Sequence, residues 1–134
     1  MAGTLPHRPA VRVYYEDTDA GGIVYHASYL RFAERARTEM LRELGFDHTA
    51  LLREHGILFA VRRCTVEFLK PARLDDLLEV ETVPVRLGGA RLVLRQAVLL
   101  ADRPIVQLEV ELALLSPELR PRRLPAVLAE RLRG

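Results

Sequence analysis

The sequence predicts an α+β domain in which an antiparallel sheet covers one long helix. Three observations predict this architecture. One stretch carries apolar residues at three- and four-residue spacing, which is typical of an amphipathic helix. Four strand-like runs follow it in succession, and the short turns between them favour antiparallel pairing. A further strand precedes the helix, and the length of 134 residues suits a single domain spanning residues 1–134.

The chain begins with a loose lead-in over residues 1–9, which contains Pro6 and Pro9. A strand is predicted over residues 11–17, because β-branched and aromatic side chains dominate that run. Gly21 and Gly22 follow it and indicate a turn or loop before the helix.

The long helix is predicted over residues 26–44. Its apolar face consists of Leu30, Ala33, Ala36, Met40, Leu41 and Leu44. The small side chains of Ala33 and Ala36 would let the helix axis approach a sheet closely. Gly45 stands where a helix is expected to stop, and a shorter helical piece over residues 47–55 ends at Gly56.

The remainder of the chain is strand-like. Strands are predicted over residues 58–69, 77–87, 90–100 and 105–115. In the last of them apolar residues alternate with polar ones, which indicates that one face is buried. Pro84 interrupts the pattern of its strand and indicates a bulge or an edge position. Residues 117–134 form a tail that is expected to end in a short helix from Pro125.

Charge and composition argue against several classes of function. There are 20 basic and 18 acidic residues, and the one basic cluster, at Arg120, Arg122 and Arg123, is too short to indicate nucleic-acid binding. The sequence contains no run of about 18 apolar residues that would span a membrane, and no apolar secretory signal. The single cysteine, Cys64, is predicted to be a small core residue. We therefore expect a cytoplasmic protein with no membrane span and no metal site.

Potential chemistry is concentrated between the first strand and the long helix, from Tyr14 to Tyr29. The first amides of a helix have no intrahelical partners and carry partial positive charge, which suits a developing oxyanion. Gly21 and Gly22 lack a Cβ atom, so a ligand carbonyl could approach the backbone closely.

Asp19 is the leading catalytic candidate of this loop. Its carboxylate could act as a general base on water or as a nucleophile towards a thioester, although a loop aspartate can also be a turn residue. Asp17, at the end of the strand, is expected to hold the loop by hydrogen bonds to backbone amides. His26 could orient water, bind an acyl carbonyl or tune the carboxylate, or it could simply cap the helix.

The loop and the helix resemble the YbgC type of the 4-hydroxybenzoyl-CoA thioesterase family. The pattern Tyr-x-Asp-Thr-Asp-x-x-Gly-x-Val-Tyr-His-x-x-Tyr is matched at Tyr15, Asp17, Thr18, Asp19, Gly22, Val24, Tyr25, His26 and Tyr29. The segment Glu-Arg-Ala-Arg-Thr-Glu follows from Glu34 to Glu39, and Phe68 to Asp76 also looks like a segment of this family. The resemblance covers nearly the whole chain.

The resemblance implies a hotdog fold, in which a five-stranded antiparallel sheet wraps around one long central helix, and it implies hydrolysis of an acyl-CoA. Asp19 would be the catalytic carboxylate and His26 the second polar residue. The backbone N–H groups of Tyr25 and His26 would polarise the thioester carbonyl, with Gly22, Val24 and Tyr15 as further oxyanion or substrate-binding residues. No cofactor is expected, because coenzyme A is part of the substrate.

The resemblance also implies partners. Two subunits would pair their sheets, giving a homodimer or homotetramer with active sites at the interface, and acyl carrier protein is a possible further partner. Basic residues would meet the phosphates of coenzyme A, and the candidates are Arg62, Arg63, Lys70, Arg86 and Arg91. Two other functions stay open: a non-catalytic module that binds an acyl group or acyl carrier protein, and a hotdog hydratase or dehydratase.

Overall fold

The computed structural model describes residues 6–134 and has one sheet and one long helix. The strands are β1 (Ala10–Arg12), β2 (Leu58–Phe68), β3 (Leu77–Gly88), β4 (Arg91–Leu100) and β5 (Arg103–Leu115). The helices are α1 (His26–Glu43), α2 (His48–Ala50), which continues into a π-helical turn (Leu51–His55), and α3 (Ala126–Arg133). The strand order is β1-β3-β4-β5-β2, with every neighbouring pair antiparallel. The predicted five-stranded antiparallel sheet with a long helix is confirmed.

The helix α1 packs against β3 and β4 and forms the centre of the core. Phe32, Ala33, Ala36 and Met40 are buried, as the helical spacing requires. Leu30, which the same spacing placed on the buried face, is instead 42% exposed. The buried stripe therefore lies to one side of Leu30.

The first strand is shorter than the predicted one over residues 11–17. Pairing with β3 ends at Arg12, and Tyr15–Asp17 form a single 3-10 turn. The Asp17 carboxylate accepts a hydrogen bond from the Tyr14 backbone N–H at 2.8 Å. This local side-chain-to-backbone bond competes with sheet pairing, and it bends the chain toward the start of α1.

The described part of the predicted lead-in is attached to the sheet. The His7 backbone N–H donates to the Thr82 carbonyl oxygen at 3.2 Å, and the Val80 N–H donates to the Pro9 carbonyl oxygen at 3.0 Å. Residues 1–5 of that lead-in lie outside the described residues.

The ends of α1 and α3 are held together. Gly45 has a φ of +95°, which only glycine adopts readily, so the predicted helix stop is confirmed. The predicted short helix after Pro125 is present as α3. Its Arg131 donates a hydrogen bond to the Leu44 carbonyl oxygen at 2.6 Å and lies 5.1 Å from the ring centre of Phe46. The C-terminal tail thus caps the last turn of α1.

Pro84 lies at a bulge, as its position in the sequence predicts. The register between β3 and β4 shifts between Pro84 and Arg86. Because β1 pairs only with the segment from Leu77 to Glu79, the other side of β3 has no β1 neighbour at Pro84. A residue without an N–H donor is tolerated there.

The strand β2 forms one edge of the sheet, and only its inner side pairs, with β5. Cys64 lies on this edge strand and is exposed, so the prediction that it is a core residue is wrong. Val61 and Phe68 of the same strand are 53% and 49% exposed. In residues 6–134 no helix has the combined length and apolar character needed to cross a membrane.

Candidate active site

A cavity of about 310 Å³ lies between the beginning of α1 and the end of β2. Its lining residues are Asp19, Ile23, Val24, His26, Tyr29, Phe68, Leu69, Lys70 and Pro71. The structure therefore brings Asp19, Val24 and His26, three residues singled out in the sequence, to one cavity. Most of the remaining wall is apolar, which is typical of a small-molecule site with a few polar groups.

The loop that carries Asp19 is a tight turn. The Asp19 N–H donates to the Ile23 carbonyl oxygen at 2.9 Å, and the Gly22 N–H donates to the Asp19 carbonyl oxygen at 3.1 Å. Gly22 has a φ of +82°, so this turn needs a glycine. The Gly21 N–H donates to Oδ1 of Asp19 at 2.8 Å. One carboxylate oxygen is thereby held, and Oδ2 has no hydrogen-bond partner within residues 6–134.

The amides at the beginning of α1 differ in their availability. The Val24 N–H donates to the Ala72 carbonyl oxygen, and the Tyr25 N–H donates to the Asp17 carbonyl oxygen, both at 2.9 Å. The Tyr25 N–H, which was predicted to polarise a substrate carbonyl, is therefore bonded within the chain. The His26 N–H, by contrast, has no hydrogen-bond partner in the described part of the chain and belongs to the first residue of α1.

Asp17 has a structural role, as predicted. It is 7% exposed, and besides its carboxylate bond to the Tyr14 N–H its carbonyl oxygen also accepts from Oγ of Ser28 at 3.1 Å. The guanidinium of Arg31 lies 3.8 Å from its other carboxylate oxygen. Asp17 therefore ties the 3-10 turn to the first turn of α1.

Aromatic rings form one wall of the cavity and surround His26. The Phe68 ring lies 5.9 Å from the Tyr29 ring and meets the His26 ring edge-on at 6.3 Å between centres. The Tyr25 ring centre lies 4.4 Å from that of His26. The Tyr29 hydroxyl accepts a hydrogen bond from the Ala72 N–H at 3.0 Å. Burial raises the pKa of Tyr29, so this hydroxyl stays protonated at neutral pH.

Phe68 and Tyr29 also line the cavity, although neither was predicted from the sequence to be a site residue, and Lys70, predicted only as a contact for coenzyme A, lines it as well. Tyr29 and Phe68 lie in the two recognised segments, but only the fold shows that the end of β2 meets the beginning of α1. The Ile23–Arg73 bridge and the Val24–Ala72 hydrogen bond make that connection.

Other predicted site residues lie outside the cavity lining. Tyr15 is 82% exposed. Gly22 belongs to the Asp19 loop and Tyr25 precedes α1, and neither lines the cavity. Of the coenzyme A candidates, Lys70 alone lines the cavity. Arg62 and Arg91 both lie near the Glu111 carboxylate, at 2.8 Å and 3.8 Å.

The basic candidates on β3 and β4 lie at the far end of the sheet from Asp19. Phe68, beside the cavity, pairs with Val106, whereas Arg91 pairs with Ala113 of the same strand β5. Seven residues of a strand span roughly 23 Å. Arg86 and Arg63 form no ion pair among the described residues. Neither lines the cavity, so their predicted contact with coenzyme A needs a substrate that reaches beyond it.

Comparison with known proteins places this site in context. Residues 21–106 match the family described as the thioesterase superfamily. The acyl-CoA thioester hydrolase YbgC of Escherichia coli O157:H7 is 50% identical over 130 residues, which cover 95% of this chain and 96% of that protein. The acyl-CoA thioesterase YbgC of Haemophilus influenzae is 54% identical over 86 residues, 64% of this chain and 63% of that protein. The crystal structure of a probable thioesterase from Bartonella henselae superimposes with a TM-score of 0.86 and 44% identity, over 89% of this chain and 98% of that one.

Proposed function

Because this chain belongs to the thioesterase superfamily and is an acyl-CoA thioester hydrolase with the hotdog fold, we propose that Asp19 and the His26 end of α1 carry out its reaction. The observation that carries the proposal is their shared cavity. An exposed carboxylate with one free oxygen faces the same space as a helix start whose His26 N–H is unpaired within residues 6–134.

The thioester carbonyl oxygen accepts a hydrogen bond from the His26 N–H, which stabilises the negative charge that develops on it. As a general base, Asp19 takes a proton from water while the water oxygen bonds to the carbonyl carbon. As a nucleophile, it forms an anhydride that water then opens. In both routes the carbon–sulfur bond breaks, the coenzyme A sulfur leaves as a thiolate and is protonated, and a free acid is formed.

The two routes leave different isotopic marks. In water labelled with ¹⁸O and with enzyme in excess of acyl-CoA, only the nucleophilic route can place label in the Asp19 side chain. Mass spectrometry of the peptide that contains Asp19 reads this out.

The His26 side chain contacts the Tyr25 and Phe68 rings and lines the cavity. We propose that it orients the attacking water or the acyl carbonyl. Tyr29 and Phe68 supply the apolar wall against which the first carbons of the acyl group pack.

The test of this proposal is release of free thiol from a panel of acyl-CoAs by the wild type and by Asp19→Asn. Loss of a catalytic carboxylate commonly lowers the rate by about 10²–10⁴-fold. The matched control is Asp102→Asn, an 84% exposed residue of a turn whose left-handed backbone conformation asparagine tolerates. Near-normal turnover by Asp19→Asn would refute the assignment. A wild type that binds acyl-CoA without releasing thiol would instead favour a binding module.

We propose that two copies associate through the outer edge of β2. The outer side of this strand has no pairing strand within the described residues, and Val61 and Phe68 on it expose apolar surface. Soluble proteins usually protect such edges. Because Phe68 also lines the cavity, a second copy paired there would lie beside the site.

Lys70 is our candidate for contact with a phosphate of coenzyme A, because it combines a positive charge with a place at the cavity rim. We further propose that the chain acts as one domain in the cytoplasm without a cofactor, and that acyl carrier protein can present the acyl group in place of coenzyme A.

A further inference from the structure

A second cavity, of about 360 Å³, lies farther along α1 on the side that faces β2, and we call it the distal cavity. Its lining residues are Glu34, Arg37, Thr38, Leu41, His48, Phe59, Val61 and Leu112. Four of these side chains are apolar, and a guanidinium and a carboxylate are also present. The proposed mechanism uses none of them.

The distal cavity shares both of its walls with the Asp19 cavity. At 3.6 residues per turn, His26, Leu30 and Arg37 lie within about 40° of one another around α1, so one stripe of the helix reaches both cavities. On the other wall, β2 contributes Phe68 to the Asp19 cavity and Val61 to the distal one. Both cavities therefore border the space between α1 and β2.

Arg37 is held at the distal cavity by a buried polar network. Its Nη1 donates to Oε1 of Gln96 at 3.0 Å, and Gln96 is fully buried. The Gln96 amide nitrogen in turn donates to the Ala33 carbonyl oxygen and to the Thr82 hydroxyl, both at 3.0 Å. The guanidinium is thus fixed through a neutral amide rather than through a carboxylate.

Arg37 forms no ion pair among the described residues, and four of its five N–H donors are not used by Gln96. Burial lowers the pKa of Arg37 while the nearby charge of Glu34 raises it. A half-buried guanidinium is usually paired with an acceptor. In this case the unassigned donors belong to a residue that lines a largely apolar cavity on the same side of α1 as the proposed reaction centre.

The charges at the distal cavity determine which polar group of a ligand is favoured there. Arg37 offers donors and Glu34 offers an acceptor in the same cavity, so their formal charges cancel. A carboxylate would be attracted to one and repelled by the other. A hydroxyl can accept from Arg37 and donate to Glu34 at once, and so it satisfies both.

We propose that the distal cavity recognises a hydroxyl group at the far end of the acyl chain, so that the preferred substrates are acyl-CoAs hydroxylated near their distal end. This inference rests on the proposed function, because it assumes that the thioester lies at Asp19. Arg37 lies eleven residues along α1 from His26, roughly 16 Å at 1.5 Å per residue. Carbon–carbon bonds of about 1.5 Å zigzag in an extended chain, so that distance fits a chain of roughly eleven to thirteen carbons.

The test compares kcat/KM for three matched series of acyl-CoAs of that length: unsubstituted, hydroxylated at the last carbon, and carboxylated at the last carbon. The wild type is expected to prefer the hydroxylated series over both others by at least about tenfold, because the hydrogen bonds to the charged pair form only there. Equal rates across the three series, or a preference for the carboxylated one, would overturn the inference.

Two variants and one control variant test whether Arg37 and Glu34 cause the preference for the hydroxylated series. Arg37→Leu is expected to remove the preference for the hydroxylated series, and Arg35→Leu, an exposed arginine on another face of α1, to retain it. Glu34 is exposed, so the protein should tolerate Glu34→Gln. This variant leaves the positive charge of Arg37 without a compensating carboxylate, and we expect it to shift the preference toward the carboxylated series. A Glu34→Gln enzyme with the wild-type preference would overturn the inference even if Arg37→Leu failed to fold.

These outcomes are distinct from failure of the proposed function. If Asp19 is not catalytic, Asp19→Asn keeps its activity on all three series. If the distal cavity is instead filled by a second copy of this chain, Arg37→Leu weakens self-association and leaves the ratios between series unchanged, which would overturn the inference.

Discussion

The backbone N–H of Tyr25 donates a hydrogen bond of 2.9 Å to the carbonyl oxygen of Asp17. Tyr25 is the residue before α1, and its extended backbone points the N–H back toward the 3-10 turn. This bond uses the donor that was predicted to meet the substrate, while the neighbouring His26 N–H has no hydrogen-bond partner within residues 6–134. Of these two amides, the carbonyl oxygen of Asp17 thus leaves only that of His26 unpaired.

Asp17→Ala tests how much the Asp17 carboxylate stabilises this turn. It removes the acceptor of the partly buried Tyr14 N–H, and loss of a hydrogen bond to a charged group costs about 1.5–3 kcal/mol. We expect the free energy of unfolding, measured by urea denaturation, to fall by that amount. Asp17→Asn keeps a side-chain oxygen in place and should lose less. Equal stability of the wild type and the alanine variant would show that the turn does not depend on this carboxylate.

The two glycines of the Asp19 loop are expected to fail in different ways. Gly22 has a φ of +82° and its missing Cβ would meet nothing within 4 Å, so Gly22→Ala carries a backbone cost alone, about 1–2 kcal/mol. A Cβ on Gly21 would lie 3.2 Å from Oδ1 of Asp19 and push the carboxylate aside.

Gly21→Ala should therefore lower kcat by about tenfold, because small displacements of a reacting group are costly. Its stability loss should be smaller than that of Gly22→Ala. Steady-state kinetics and urea denaturation of the two proteins separate these effects. A Gly21→Ala enzyme with wild-type kcat would argue against a catalytic role for the Asp19 carboxylate.

His7 predicts a pH dependence of stability. Burial lowers its pKa, partly offset by Glu43 and Glu39, and its Nδ1 is buried without a hydrogen-bond partner in the described residues. The unfolded chain takes up a proton below a pH of about 6.5, while the folded chain resists it. The free energy of unfolding should therefore fall as the pH drops through that value. His7→Gln should weaken the dependence of the free energy of unfolding on pH between pH 7 and pH 5.5. An unchanged dependence would show that other groups cause it.

Association through β2 predicts that a charge on its edge will separate the copies. Cys64→Lys places an ammonium on this exposed strand and should convert a dimer into a 15.2 kDa monomer in sedimentation velocity. Val127→Lys adds the same charge on the exposed face of α3 and should leave the dimer intact. Identical sedimentation of both variants and the wild type would place the interface elsewhere.

Local patterns were enough to predict much of the fold. The spacing of apolar residues and Gly45 located α1, and Pro84 marked a bulge that the register of β3 confirms. The first strand was predicted too long because strand propensity does not include the local side-chain-to-backbone bond between Asp17 and Tyr14. Cys64 was assigned to the core because composition does not distinguish an edge strand from a central one.

The site was predictable only in part, for a similar reason. Asp19 and His26 lie in one short segment, so their proximity follows from the loop between a strand and a helix. Phe68 and Lys70 reach the same cavity only because β2 ends beside α1, a contact between distant segments. The Tyr25 N–H is bonded because of the path that the backbone takes around Asp17. The periodicity of the sequence does not predict that path.

The most direct test of the central claim is a crystal structure of Asp19→Asn with a bound acyl-CoA analogue in which a methylene group replaces the thioester sulfur. We expect the carbonyl oxygen to lie about 2.7–3.1 Å from the His26 backbone nitrogen, with the residue 19 side chain facing the carbonyl carbon. A carbonyl oxygen held by other donors, or a residue 19 side chain turned away from it, would contradict the account.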